Sequence, residues 1–204
     1  MLKVPAHQVA GHRADRGKLG PRVDDSGRFY KPLQGDERGA REVAFYTSFS
    51  SDTKVPDHIS DSSPSFMELS LLRRPMGIQI FGTKESGFWK PEKKWIQSIS
   101  TNEVRLLLKK FVSSDTSVSK PDCAFASIVY GGSKGILSQL LELKAWFEDQ
   151  TSYHFFACSI LMVFEKELAL EVKSPCPEIK LVDFARVFEG RGIINHNFLG
   201  GSAL

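Results

Sequence analysis

No apolar run in this 204-residue chain is long enough to cross a bilayer. The longest, FFACSILMVF at 155–164, is about half the roughly 20 residues that a spanning helix needs. The opening MLKVPAHQVAGH has no apolar core of secretion-signal length, so the chain is expected to be soluble and intracellular. Cysteine is scarce. Cys123, Cys158 and Cys176 are an odd set with no C-x-x-C pair, which argues against a disulfide framework and against structural zinc. Charge of one sign is also lacking: 27 basic against 24 acidic residues leave +3, too little to argue for nucleic acid. GGSKG at 131–135 lacks the G-x-x-x-x-G-K-[ST] spacing of a P-loop and reads as the turn before a helix. His196 in NHNFLGG has no second ligand nearby, so a hydrogen-bonded loop position is expected; His7 and His12 flank a glycine turn in HQVAGH, where a hydrogen-bonded hairpin is expected ahead of a ligand contact. No cysteine has a histidine and an acid arranged beside it as a nucleophile would require.

What remains is ordinary for a globular protein, at 41% hydrophobic and 25% charged, and long enough for one large domain or two small lobes. DDSG at 24–27 predicts a hairpin between Val23 and RFYKPLQ. In its second arm, period-two alternation groups Phe29, Lys31 and Leu33 on one face. A lysine on an apolar face must snorkel or meet an anion. RGAREVAFYTSF at 38–49 predicts a short helix with Glu42 in its first part. The stretch 66–77 is ambiguous between strand and helix turn, and IQIFGTKESGFW suggests a hairpin turning at 84–87. Ser100 and Glu103 form a capping box before the stripe Val104, Leu107, Leu108 and Phe111. Ile136, Leu140, Leu143 and Phe147 make a second helical stripe. Two strands follow, at 155–164 and 178–184.

Three side chains carry candidate chemistry. Ile179, Leu181 and Asp183 alternate onto one strand face, where a carboxylate is costly to bury unless paired or metal-bound. Kinases hold magnesium against nucleotide phosphates with such an aspartate, although a capped turn or a surface charge has the same pattern. Lys31 on a strand and Glu42 on the next helix match the phosphate-holding lysine and its steering glutamate. Strand lysines followed by helix glutamates are common, and a solvated salt bridge is the default reading of such a pair.

The stretches HQVAGH, GRFYKPLQG, KVPDHI, FVSS, DCAFAS, VYGG, ILSQLLELKAWFEDQTSYHF, CSILMV, KLVDFARV and NHNFLGG occur in one order. Together they resemble the inositol polyphosphate kinases, most of all the plant multikinase branch, over most of 1–58 and 77–201. The resemblance implies an α+β, two-lobed, protein-kinase-like fold with ATP between the lobes. It implies that Lys31 contacts ATP phosphates and that Asp183 binds Mg2+. Ser159 stands at the second serine of the family's S-S-L-L signature, with Cys158 in place of the first. The implied substrates are inositol trisphosphate and tetrakisphosphate. The implied setting is nucleus or cytoplasm, as a monomer without membrane or nucleic-acid partners.

One family signature, P-x-x-x-D-x-K-x-G, is absent. SDSSPSFMELSLLRRPM at 60–76 stands where it belongs, and the chain stops at GGSAL where the family continues into a helix. The expected organisation is therefore an incomplete fold: an N-terminal lobe at 1–58, a divergent junction at 59–76 and a partial C-terminal lobe at 77–204. With that signature gone, no catalytic residue is identified. Two outcomes remain open: an inositol phosphate kinase, and a non-catalytic remnant or binding module.

Overall fold

A computed structural model describes residues 1–4, 20–25, 29–33, 35–49, 67–72, 77–80, 98–115, 119–156, 158–164 and 177–196. HQVAGH, KVPDHI, the expected turn at 84–87 and Cys176 lie outside the described residues.

β1 (Arg22–Val23) and β2 (Phe29–Tyr30) pair antiparallel, Arg22 opposite Tyr30, as the DDSG turn predicts. The alternation expected through Leu33 stops early. β1 offers two residues of ladder, so the chain beyond Tyr30 has no partner there, and Leu33 is 67% exposed. Lys31 is thus the first residue past the ladder and turns toward helix α1 (Glu37–Phe49). α1 opens beside Asp36, whose carboxylate accepts from the Arg38 backbone N–H and from the Arg38 guanidinium. It buries Glu42 and Phe45, three positions apart on one face.

The central sheet is antiparallel in the order β4–β3–β6–β7, from β3 (Met67–Leu72), β4 (Gly77–Ile80), β6 (Ser159–Phe164) and β7 (Glu178–Val182). The ambiguous 66–77 stretch is therefore a strand at its centre. Its register sets Leu72 opposite Ser159 on one side and Leu69 opposite Ile80 on the other. β4 pairs back onto β3.

Helix α2 (Thr101–Phe111) has the expected capping box. The Ser100 backbone N–H donates to Glu103 at 2.7 Å, and the Glu103 N–H donates to Ser100 Oγ at 3.3 Å. A four-residue helix, α3 (Ala126–Val129), leads through GGSKG into α4 (Ile136–Asp149). Gly132 has φ +78°, and a Cβ on Gly135 would lie 2.0 Å from the Gly131 carbonyl oxygen. The segment is a turn, as its sequence suggests. α4 is tied to β7 by one amide: Gln139 donates to the Pro177 carbonyl at 2.6 Å and accepts from the Ile179 N–H at 3.0 Å.

The run 155–164 does not form one strand. Phe155 ends β5 (Tyr153–Phe155), which pairs with β8 (Val187–Glu189), whereas Ser159 opens β6 opposite Val182 of β7. The chain changes partner between these two pairings. That break brings Cys158 and Ser159 beside the turn that Asp183 begins. Both helical stripes point inward, with Leu107, Phe111, Ile136, Leu143 and Phe147 buried. Phe111 meets Phe164 edge-on at 5.1 Å, and Phe147 meets Phe155 likewise at 5.1 Å, so α2 and α4 pack on the same core.

Candidate functional site

Lys31, Glu42 and Asp183 come from three separate elements and meet at one amine. Lys31 Nζ lies 2.7 Å from Glu42 Oε1 and 3.2 Å from Asp183 Oδ1. The two carboxylates sit in unlike surroundings: the Glu42 side chain is 7% exposed and that of Asp183 36%. Glu42 is a buried anchor, while Asp183 is partly exposed. Burial disfavours the Lys31 ammonium, yet the hydrogen bond to Glu42 and the charges of Asp183 and Glu42 outweigh it, and its pKa is raised.

The alternation expected for Ile179, Leu181 and Asp183 holds for the first two, which are buried. It breaks at Asp183, because β7 ends at Val182 and Asp183 takes φ +69°. Left-handed backbone is uncommon outside glycine, and aspartate is among the side chains that tolerate it best. Such strain collects at functional sites, where the surrounding structure holds it in place. Here the turn sends the carboxylate toward Lys31.

Beneath the turn, Phe184 stacks on Phe45 of α1 at 4.5 Å between ring centroids. The sequence reading missed this contact. The signal was available: Phe45 follows Glu42 by three helical positions and Phe184 follows Asp183 directly, so both polar groups carry an aromatic anchor beside them. Cys158 is buried behind the cluster. Its thiol is pushed up to about 12, first by burial and then by the charges of Asp183 and Glu42. Ser159 is fully buried, and its Oγ has no hydrogen-bond partner among the described residues. A buried hydroxyl without a partner is costly, and its row of the sheet adjoins Asp183.

Among the described residues, no group of three His, Cys, Asp or Glu could hold a metal ion by itself. A phosphate-bound Mg2+ does not need one. It usually takes one or two protein carboxylates, with waters and phosphate oxygens completing its shell. The half-open Asp183 and the unpartnered Ser159 hydroxyl fit that kind of donor set. His196 is exposed, and the neighbouring Asn195 is buried and donates to the Phe155 carbonyl, a structural role.

Residues 45–202 match the family model for inositol polyphosphate kinase. The chain is 46% identical to inositol polyphosphate multikinase alpha of Arabidopsis thaliana, an alignment covering 98% of this chain and 92% of that protein. Multikinase beta of the same plant is 45% identical, with 98% and 90% covered. A solved structure from structural and engineering studies of inositol phosphate multikinase superposes with a TM-score of 0.61 at 39% identity, over 79% of this chain and 94% of that one. The first alignment runs over 263 positions against 204 residues, so at least 59 positions (263 less 204) of that relative have no counterpart here.

Proposed function

The chain belongs to the inositol polyphosphate kinase family, and from that premise we propose that it transfers the γ-phosphoryl of ATP to an inositol phosphate, with Lys31 and Asp183 at the nucleotide end of the site. The observation that carries the site assignment is the convergence of Glu42 and Asp183 on the Lys31 amine, at 2.7 and 3.2 Å. Phosphoryl transfer asks the protein for positioning and charge neutralisation, with little covalent work. Lys31 supplies the positive charge. Glu42, buried and committed to it, keeps the amine protonated and aimed. Asp183 is the half-exposed carboxylate that would hold Mg2+, and Ser159 offers its spare hydroxyl to the same ligands. The metal, when bound, neutralises charge on the transferring phosphoryl group. Lys31 lies between its two carboxylates, so phosphate oxygens compete with Asp183 for the amine and leave the Glu42 contact in place.

We further propose that the chain is organised as lobes at 1–58 and 77–204 around the junction 59–76, and that it works as a monomer in the nucleus, the cytoplasm or both. Among the described residues, no helix is long and apolar enough to cross a membrane.

A second reading, a nucleotide-binding chain without turnover, is favoured by the absent P-x-x-x-D-x-K-x-G signature and by the unmatched positions of the relative. Loss of a group that orients the attacking hydroxyl lowers rates by about 10²–10⁴-fold. Purified chain incubated with labelled ATP, Mg2+ and inositol trisphosphate separates the two. Slow product formation, abolished by Asp183→Asn, is expected. ATP binding without any product establishes the second reading. Absence of ATP binding overturns both.

A further inference from the structure

Arg41 has no part in the reading above, yet it is the covalent neighbour of Glu42. Its guanidinium carbon lies 5.2 Å from the centre of the Phe188 ring in β8. Its Nη2 reaches one turn back to Glu37 at 3.5 Å. Its Nε is buried with no hydrogen-bond partner among the described residues. A buried cationic N–H without an acceptor is disfavoured, and the negative face of an aromatic ring offsets part of that cost. The ring also meets Phe156, edge-on at 5.8 Å. Phe188 is itself 44% exposed, so this contact lies at the rim of the molecule, outside the packed core.

The spacing gives the contact its meaning. Arg41 and Phe45 are four positions apart and share a side of α1. Phe184 and Phe188 are also four apart, on the segment that Asp183 begins. Phe45 meets Phe184, and Arg41 meets Phe188. Phe45 also meets Tyr153 and Phe155, and Tyr46 meets Phe184, so the Phe45 end of α1 is already held. Arg41 on Phe188 adds a second point of support one turn earlier, next to Glu42, and so limits the roll of the helix where Glu42 sits. Glu42 projects about a hundred degrees around the helix from Arg41, given 3.6 residues per turn. A change in roll therefore swings its carboxylate away from Lys31.

We propose that Arg41, stacked on Phe188, is a positioning residue that sets the roll of α1 and so holds Glu42 on Lys31. The proposal rests on the functional reading given above, in which Lys31 serves the nucleotide. It assigns to Arg41 no contact with substrate.

The test is the rate at which an amine-reactive reagent labels Lys31 in the full chain, read by mass spectrometry at mildly alkaline pH. The Lys109 and Lys110 peptide serves as internal control. Glu42→Gln sets the reference for an amine that has lost its buried carboxylate. Arg41→Ala and Phe188→Leu should speed labelling of Lys31 about three- to tenfold, toward that reference, the change expected for half to one pKa unit. Phe188→Tyr keeps the ring face and should label as the parent does. Lowered melting temperatures with unchanged Lys31 labelling would show a merely structural contact and overturn the proposal. If Arg41→Ala does not fold, the Phe188→Leu and Phe188→Tyr pair makes the same comparison at an exposed position. Protection of Lys31 by ATP in the parent chain is scored separately. Its absence sinks the nucleotide reading and leaves the Arg41 result standing.

Discussion

Lys31 serves two carboxylates unequally, and the inequality predicts how its loss will be felt. Glu42 is buried and, among the described residues, is bonded to Lys31, whereas the more exposed Asp183 can turn to water. Lys31→Met therefore strands a buried charge. Fully buried pairs lose about 3–5 kcal/mol when one partner goes, and the 37% exposure of Lys31 calls for a smaller cost, about 1–3 kcal/mol by urea denaturation. Adding Glu42→Leu should recover part of that loss, a non-additivity that a double-mutant cycle reads directly. The pH dependence follows from the raised Lys31 pKa. The folded value lies above the ordinary 10.5, so the cluster contributes fully below that pH and fades as pH rises through the folded value. Stability of the parent over Lys31→Met should thus be flat from pH 7 to 10 and shrink in stronger alkali. Cys158 makes a further residue-scale prediction. Its thiol, buried and pushed up to about 12, has almost no thiolate at pH 8. A thiol reagent should modify the half-buried Cys123 before Cys158 and reach Cys158 on unfolding. Equal rates in the native chain would contradict the described burial.

At the scale of elements, the helices were the most legible part because each carries its own local instructions. The capping box of α2 joins Ser100 and Glu103 through two reciprocal bonds, and Ser100→Ala should cost about 1 kcal/mol in thermal or urea denaturation. An unchanged midpoint would mean that the helix end does not form in solution. The stripes of α2 and α4 were readable for the same reason: period and burial agree. Strands were legible in kind and less so in extent. Phe29, Lys31 and Leu33 alternate as a strand should, but strand length is set by the partner, and β1 is short. FFACSILMVF reads as one run because every residue but Ser159 is apolar or small, yet its two ends pair with different strands. No local pattern marks where a chain changes partner. The site was half legible. Residue type and spacing pointed to Lys31, Glu42 and Asp183, but their meeting depends on the left-handed turn at Asp183 and on the Phe45–Phe184 stack, both products of tertiary packing. The Gln139 amide that joins α4 to β7 had no sequence signal, since a glutamine on a helix usually faces water.

For the whole molecule the governing fact is length. The chain aligns with nearly the full extent of a longer relative and omits at least 59 of 263 aligned positions. In the organisation proposed above, the junction at 59–76 is what closes the sheet over them. β3 lies inside the expected junction and pairs on both sides, with β4 and with β6. Without it β6 becomes an edge, and β4 has no strand to pair with among the described residues. A central strand tolerates proline poorly, since each backbone N–H faces one neighbour or the other and the ring disturbs both. Leu69 stands opposite Ile80 and Met162, in the middle of both ladders. Leu69→Pro should therefore abolish cooperative thermal unfolding, or lower its midpoint by many degrees. Gln79→Pro, on β4, should cost far less, because among the described residues β4 pairs with β3 and lies at the edge of the sheet. Circular dichroism melts of the two variants decide the matter. If both unfold as the parent does, the junction is not part of the fold, and the helices with β6 and β7 hold the Lys31–Asp183 contact by themselves. If Leu69→Pro fails and Gln79→Pro survives, the divergent segment is what keeps the sheet of β4, β3, β6 and β7 continuous.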